Sequence, residues 1–148
     1  MVTFNTSLSP TSLNNLAKNL KKYYKDLELA KTDILQALTD YTYERIMYYV
    51  PVKTGTLMNS FASEVSGDIG RVYTDLYYAK YVEFGTGIKG TQSNYNVSKL
   101  IVSNGWKGYS EDYENGQVAQ KFMYKALQDV EANYKDIVKN MLKQKGLI

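Results

Sequence analysis

The chain contains no cysteine and no histidine among its 148 residues. Without cysteine it can form neither a disulfide nor a thiolate metal site, so its fold needs no oxidising compartment. Without histidine it lacks the usual general base near neutral pH and the commonest zinc ligand. A catalyst built from this sequence would depend on carboxylates, lysine, tyrosine or a metal held by oxygen atoms. The two absences therefore argue against an enzyme.

Long apolar runs are also missing, and the first residues do not have the pattern of a secretory signal. No window approaches the roughly eighteen consecutive apolar residues that a membrane span needs. Residues 1–10 are polar and show no basic stretch followed by an apolar run, so we expect no secretory signal. Hydrophobic residues make up 44% and charged residues 22%, a balance typical of globular proteins. We expect a soluble cytoplasmic protein that folds as one domain over residues 1–148.

The net charge of +3 is unevenly distributed along the chain. Residues 1–31 carry five lysines and two acids, residues 32–119 carry seven basic and ten acidic residues, and residues 120–148 carry six lysines and three acids. The segments therefore have charges of +3, −3 and +3. Either these charges lie on solvated helix faces, or the basic face of one copy meets the acidic face of the next and sets their register.

Residues 1–50 are predicted to be helical. An apolar stripe recurs at spacings of three and four residues: Leu13, Leu16, Leu20, Tyr23 and Leu27. Residues 11–50 contain neither glycine nor proline, so they form one long helix or two helices with a break near 26–32. Thr32-Asp33 offers a second N-cap and favours two helices. Pro51 ends the helical part.

The rest of the chain predicts an α+β fold, in which N-terminal and C-terminal helices pack on a small antiparallel β-sheet with a long loop insertion. Residues 51–87 form a turn and β-hairpin region, with strands at 61–65 and 71–74 and a helical turn at 77–84. Residues 88–119 form the loop insertion because they are rich in glycine, asparagine and serine. Apolar periodicity returns in a C-terminal helix over residues 120–146.

Three local patterns suggest ligands but fit simpler interpretations better. Gly85 to Gly90 matches G-x-G-x-x-G, yet turn-forming residues follow it and no acid occurs at 105–110, so we expect a flexible turn and no cofactor. The acidic run 111–114 lacks the spacing of a calcium loop, so we expect no metal. Four lysines interleaved with tyrosines could bind nucleic acid or form an ordinary solvated helix face: Lys18, Lys21, Lys22 and Lys25.

The fifteen tyrosines either complete a core that is short of phenylalanine or serve protein interfaces. Trp106, Tyr109 and Tyr113 are candidate interface residues because they lie in the predicted loop. Glu83, the one charged residue between Val82 and Phe84, has two interpretations. It is either a solvated turn residue or a partly buried acceptor for backbone amides or for a neighbouring subunit's cation, which also makes it a candidate interface residue.

Two motifs carry the strongest signal, PVKTGTLMNSF at 51–61 and YAKYVEFGTG at 78–87. Thr54 can bond the local backbone, Gly55 can adopt a positive φ, and Leu57 can anchor the returning chain in the core. The pair resembles the "P-V-x-T-G-x-L-x-x-S-[IF]" and "Y-A-x-Y-[VI]-E-F-G-T" motifs of a tailed-bacteriophage family of small proteins that join head to tail or complete the tail. The matching positions are Pro51, Thr54, Gly55, Leu57, Ser60, Tyr78, Ala79, Tyr81, Glu83, Phe84, Gly85 and Thr86. The likeness resumes weakly at 116–127, although Lys121 and Lys125 stand where prolines are usual, so we expect the helix to start earlier or run straighter.

The resemblance implies a structural protein of a siphophage-like virion or prophage, located at the neck or tail end and assembled in the host bacterial cytoplasm. It implies a ring of identical copies, often six, with head-side connector proteins and the tail terminator or tail tube as partners. It implies no catalytic residues and no cofactor, with viral DNA passing nearby, no specific nucleic-acid binding and no membrane. Two alternatives remain: a nucleic-acid-binding phage accessory protein, and a carboxylate-dependent hydrolase that uses Glu83.

Overall fold

The structure, a computed structural model, describes residues 9–91 and 116–148. Within these residues, five helices and two strands follow in chain order: α1 (Pro10–Tyr49), α2 (Thr56–Asn59), β1 (Phe61–Ser66), β2 (Ile69–Thr74), α3 (Ala79–Phe84), α4 (Gly87–Thr91) and α5 (Phe122–Gln144). The strands form a two-stranded antiparallel sheet, and helices lie on either side of it in the sequence. The predicted α+β class is confirmed.

Helix α1 is continuous over forty residues, about 60 Å at 1.5 Å per residue. The predicted break near 26–32 is wrong, because no glycine or proline interrupts the helix and a second nucleus would cost more than continued propagation. Asp33 does not cap a new helix; its carboxylate pairs with Lys145 instead. The helix begins where the Ser9 hydroxyl accepts the amide of Ser12, and it ends at Val50, whose extended backbone precedes Pro51.

The β-hairpin is confirmed and extends beyond its predicted strands. Its register runs from Phe61 opposite Thr74 to Ser66 opposite Ile69. The hairpin lies against α1 so closely that a Cβ atom at Gly70 would collide with the side chain of Thr39. At the turn, the Lys31 ammonium lies 2.6 Å from the Asp68 carboxylate, and this hydrogen bond raises the pKa of Lys31. The turn end of the hairpin therefore lies against residues 31–39 of α1.

Helix α5 packs antiparallel to α1, as two ion pairs show: the start of α5 lies near the end of α1, and the end of α5 lies near the middle of α1. Arg45 bonds Asp129 at 2.6 Å near the start of α5, and Lys145 pairs with Asp33 just beyond its end. Hydrogen bonds to Tyr49 and to Asp129 raise the pKa of the Arg45 guanidinium. The buried core lies near the C-terminal end of α1 and consists of Ile46, Val50, Leu57, Phe61, Ala79, Phe122 and Ala126.

The N-terminal half of α1 extends beyond this core. Every residue from 10 to 29 is exposed except the half-buried Asp26, whereas Ala30 is fully buried. We call residues 10–29 the arm. The predicted apolar stripe lies on the arm, and its five side chains are 37–59% exposed: Leu13, Leu16, Leu20, Tyr23 and Leu27. In the described residues, α5 and the hairpin therefore cover only the C-terminal half of α1.

The region expected as a loop insertion is partly ordered secondary structure. It begins as α4, and residues 116–121 form backbone hydrogen bonds with residues 82–86. Helix α5 starts at Phe122, later than predicted, because the amides of Gln120 and Lys121 donate to carbonyls of that region. Lys121 has φ 55, which the ring of a proline cannot adopt. In the two described stretches, no helix is both long and apolar enough to cross a membrane.

Candidate assembly site

The first motif turns the chain out of α1 and returns it to the core. Gly55 has φ 78, the positive value that the motif predicts and that side chains with a Cβ rarely adopt. The Thr54 hydroxyl lies 3.0 Å from the Thr56 hydroxyl and 3.5 Å from the Thr56 amide, so it contacts the turn locally. Leu57 follows on α2 and is 6% exposed, which anchors the turn in the core.

Ser60 joins the first motif to the hairpin. Its hydroxyl donates to the carbonyl of Leu57 at 2.7 Å and lies 2.6 Å from the hydroxyl of Thr74. Because the single Ser60 proton is used on the carbonyl, the Thr74 hydroxyl must donate in the second bond. Thr74 in turn accepts the amide of Leu76 at 3.2 Å. This chain of bonds fixes the end of β2 against α2.

The second motif forms α3 and a tight stop after it. Ala79 is buried at the start of the helix, and the amide of Gly85 donates to the carbonyl of Tyr81 at 2.9 Å. Gly85 has φ 79, and a Cβ atom there would lie 2.6 Å from the carbonyl oxygen of Gln117. Glycine is therefore required at position 85 by both the backbone conformation and the close approach of the chain.

Residues 116–121, which we call the strap, bind the second motif through backbone hydrogen bonds. The amide of Thr86 donates to the carbonyl of Gln117 at 2.9 Å, and the Thr86 hydroxyl accepts the amide of Gln117 at 3.1 Å. The Gln117 side-chain amide donates to the carbonyl of Tyr81 at 2.8 Å. Further along, the amide of Gln120 donates to the carbonyl of Val82 at 2.9 Å. The strap thus connects α3 directly to the start of α5.

Glu83 supplies the N-terminal cap of α5 from a distant part of the sequence. It is 2% exposed, and its two carboxylate oxygens accept the amides of Met123 at 2.9 Å and Tyr124 at 3.0 Å. The residue at the N-cap position, Lys121, makes no capping bond with its own side chain. A carboxylate at this end also matches the helix dipole. The interpretation of Glu83 as a solvated turn residue is wrong, because its carboxylate lies inside the protomer.

The two motifs meet at a cleft of about 430 Å³, which we call the motif cleft. Its lining comes from both motifs and the strap: Pro51, Lys53, Thr54, Gly55, Leu57, Tyr78, Val82, Gln117 and Gln120. A second cleft of about 420 Å³ lies beside β2 and is lined in part by Ala79, Glu83 and Phe84. Ser60, Tyr81, Gly85 and Thr86 line neither cleft. Trp106, Tyr109 and Tyr113 lie outside the described residues, as does the acidic run 111–114.

The geometry favours structural roles over ligand chemistry at this junction. The glycine triplet starting at Gly85 follows α3, so a helix stands where a dinucleotide site needs a strand. Within residues 9–91 and 116–148, no group of three or more metal-ligating side chains is present. The motif residues set backbone conformation, cap a helix and fill the core, which positions α1, α3 and α5 relative to one another.

Sequence reasoning missed the strap, and although it offered Glu83 as an acceptor for backbone amides, it did not identify the amides of α5 as the donors. One signal for the cap was available, because residues 116–121, directly before α5, contain no serine, threonine, aspartate or asparagine. A helix that lacks a local cap requires its first amides to find an acceptor elsewhere. The strap had no comparable signal, since backbone pairing between residues 82–86 and 117–121 depends on tertiary geometry.

The first motif, the hairpin and most of the second motif lie in the part of the chain that is similar to a known protein family. Residues 14–85 match the protein family described as "Bacteriophage HK97-gp10, putative tail-component". The match covers just under half of the chain and includes most of α1, the hairpin and α3. The match confirms the predicted resemblance to a phage head–tail or tail family over residues 14–85. Comparison with curated proteins finds no match, and comparison with solved structures finds none either.

Proposed function

We propose that the protein is a non-enzymatic virion component of a siphophage-like phage or prophage that joins head to tail or completes the tail. It assembles as a ring of identical copies at the neck. The observation that carries the proposal is that the motif residues of a tail-component family serve the internal junction between α1, α3 and α5. Such a junction holds surfaces in fixed relative positions, which a ring subunit requires.

The state of Glu83 argues against the hydrolase alternative. Glu83 was the first choice for a catalytic carboxylate, and both of its oxygens accept amides of the first turn of α5. A general base must reach the proton that it removes from a substrate or a water molecule. Glu83 is 2% exposed and committed to the helix, so its position supports a capping role.

Exposed apolar side chains near the junction provide surfaces for head-side connector proteins or for the tail terminator or tail tube. Tyr77, beside the second cleft, is 78% exposed, and Val52, beside the motif cleft, is 65% exposed. Tyrosine is enriched at protein interfaces because its ring buries a large apolar area and its hydroxyl keeps a polar contact, so an exposed tyrosine at the edge of a cleft supports a contact there. We assign the two clefts to contacts within the neck.

Light scattering coupled to size-exclusion chromatography across a range of concentrations tests the proposal. We expect concentration-dependent ring formation by the full chain, or formation of a ring when neck or tail proteins of the same phage are added. Mass spectrometry of purified virions should detect the chain at a fixed ratio to the tail terminator. A chain that stays monomeric, binds no neck or tail protein and is missing from virions would overturn the proposal.

Nucleic-acid binding is a second candidate because four exposed lysines share one face of the arm: Lys18, Lys21, Lys22 and Lys25. Phosphate contacts predict a duplex affinity that falls steeply with salt. Replacement of Lys21 and Lys22 by alanine should then weaken binding, whereas replacement of the exposed Lys135 and Lys139 on α5 should not. Absence of salt-dependent binding in the unmodified chain would eliminate this candidate.

A further inference from the structure

The exposed stripe of the arm has the spacing of a coiled-coil seam. Its members, Leu13 to Leu27, are separated by three, four, three and four residues. A strict 3.5-residue repeat is typical of a helix that packs against one other helix along its length, whereas a globular protein usually presents a wider apolar face. In heptad terms Leu13, Leu20 and Leu27 are a positions, and Leu16 and Tyr23 are d positions.

The seam continues into a contact that is already formed within the protomer. A small apolar groove of about 250 Å³ joins Leu27 on the arm to Leu142 near the end of α5. Ala30, the next d position, is fully buried. Helix α5 ends at Gln144, so along the arm no described element takes its place. The arm is therefore a preformed helix, and among residues 9–91 and 116–148 nothing packs on its seam beyond the groove at Leu27.

The charges of the arm are arranged for contact with another copy of itself. The four arm lysines, at positions 18, 21, 22 and 25, occupy outer positions of the heptad and would not repel one another across a two-helix seam. The charged residues that flank the seam are Asp26 at g and Lys31 at e. In a parallel pair the g residue of one helix faces the following e residue of the other, so Asp26 would share Lys31 of a second copy with Asp68 of that copy, which already pairs with it.

Length argues against cover by residues 92–115 of the same chain. These 24 residues leave α4 and return at the strap, and both points lie near the C-terminal end of α1, where the core contains Ile46 and Phe122. Twelve residues out and twelve back reach about 41 Å when fully extended. Leu20 lies about 39 Å from Ile46 along the helix, and Leu13 about 50 Å. The segment could touch the middle of the stripe only with its tip.

We propose that the arm pairs in parallel with the arm of a second copy, through the seam from Leu13 to Leu27. The inference rests on the proposed ring and identifies one of its contacts. Parallel pairing keeps both protomers at the same end of the arms, and because both copies use the same seam, the contact is two-fold and joins the copies of a ring in pairs. Because α1 is already helical, association need not meet the cost of nucleating a helix.

Cysteine crosslinking tests both the contact and its direction, since the chain has no cysteine of its own. The variants Leu13→Cys and Leu27→Cys, oxidised separately as full-length proteins at ring-forming concentration, should each form covalent dimers. Lys18→Cys, on the outer face of the same arm, is the matched control and should remain uncrosslinked. If dimers form only when Leu13→Cys and Leu27→Cys are mixed, the arms are antiparallel and the proposal is overturned.

A second variant separates failure of the arm contact from failure of the ring. Leu16→Asp combined with Leu20→Asp should weaken self-association at least tenfold by light scattering, while the melting temperature and helix content stay unchanged because both side chains are exposed. Normal rings from this variant would overturn the arm contact and leave the proposed function intact. Stronger association after removal of residues 1–8 would show that these residues cover the stripe, which also overturns the proposal. A strictly monomeric chain that also fails to bind neck proteins would remove both proposals.

Discussion

The capping of α5 by Glu83 gives the sharpest test of the structure through the substitution Glu83→Gln. Glutamine has nearly the same shape but only one acceptor oxygen, and its amide nitrogen would face one of the two helix amides that the carboxylate accepts. The substitution therefore removes one charge-assisted hydrogen bond, leaves one buried donor unsatisfied and removes a negative charge from the positive end of a helix.

The expected loss of stability follows from these effects. An unsatisfied buried donor costs about 1–3 kcal/mol, and the helix-dipole contribution is about 0.3–1 kcal/mol. Removing a buried charge recovers part of the cost of taking the carboxylate out of water, so the net loss should fall near ~2 kcal/mol. For a domain of this size that corresponds to a decrease in melting temperature of about 4–8 °C.

Urea denaturation of the two proteins measures the difference in free energy of unfolding. The matched control is Glu131→Gln, which removes the same charge from an exposed position on α5 and should change stability by less than ~0.5 kcal/mol. Amide hydrogen exchange localises the effect, because the amides of Met123 and Tyr124 should lose protection in Glu83→Gln and keep it in the control. Equal stability of the two variants would refute the capping role.

Three further substitutions test the junction. Gly55→Val should destabilise the protein by ~1 kcal/mol or more because valine must adopt φ 78 at that turn, and an unchanged melting temperature would contradict that geometry. Gly85→Ala should lower the free energy of unfolding more than Gly67→Ala does, since both glycines have positive φ but only a Cβ atom at position 85 would collide with the strap. Equal losses of stability would show that the strap is misplaced. Ser60→Ala should lower the free energy of unfolding by about 1 kcal/mol, because it removes the hydrogen bonds to Leu57 and Thr74. A melting curve identical to that of the unmodified chain would contradict this prediction.

Local patterns in the sequence predicted the elements that depend on neighbouring residues. The hairpin follows from two β-like runs around a glycine turn, and the positive φ of Gly55 follows from turn chemistry. The end of α1 follows from Pro51, which disfavours helix at the preceding residue. In each case the residues that cause the feature lie within a few positions of it in the sequence, so the local sequence is sufficient to predict the feature.

Features that depend on distant residues were predicted incorrectly or missed. The cap offered by Thr32-Asp33 suggested a break in α1, but Asp33 pairs with Lys145 more than a hundred residues away. Glu83 was left with two interpretations because its local neighbours do not reveal that an uncapped helix begins forty residues later. Both outcomes required knowledge of which helix ends meet in space, and spacing in the sequence does not provide it.

The two ends of α1 have different surroundings, so the residues that stabilise the fold are separate from those that we propose for assembly. The motif residues act at the C-terminal end of α1, where the core lies, while the arm leaves its stripe exposed at the other end. Substitutions at Gly85 or Glu83 should therefore lower stability first and affect assembly only through unfolding. Substitutions at Leu16 or Leu20 remove apolar surface that the isolated subunit leaves in water, so they should change assembly without lowering stability. Because the arm extends beyond the core, we expect two separate sets of variants. One set should change the melting temperature, and the other should change self-association.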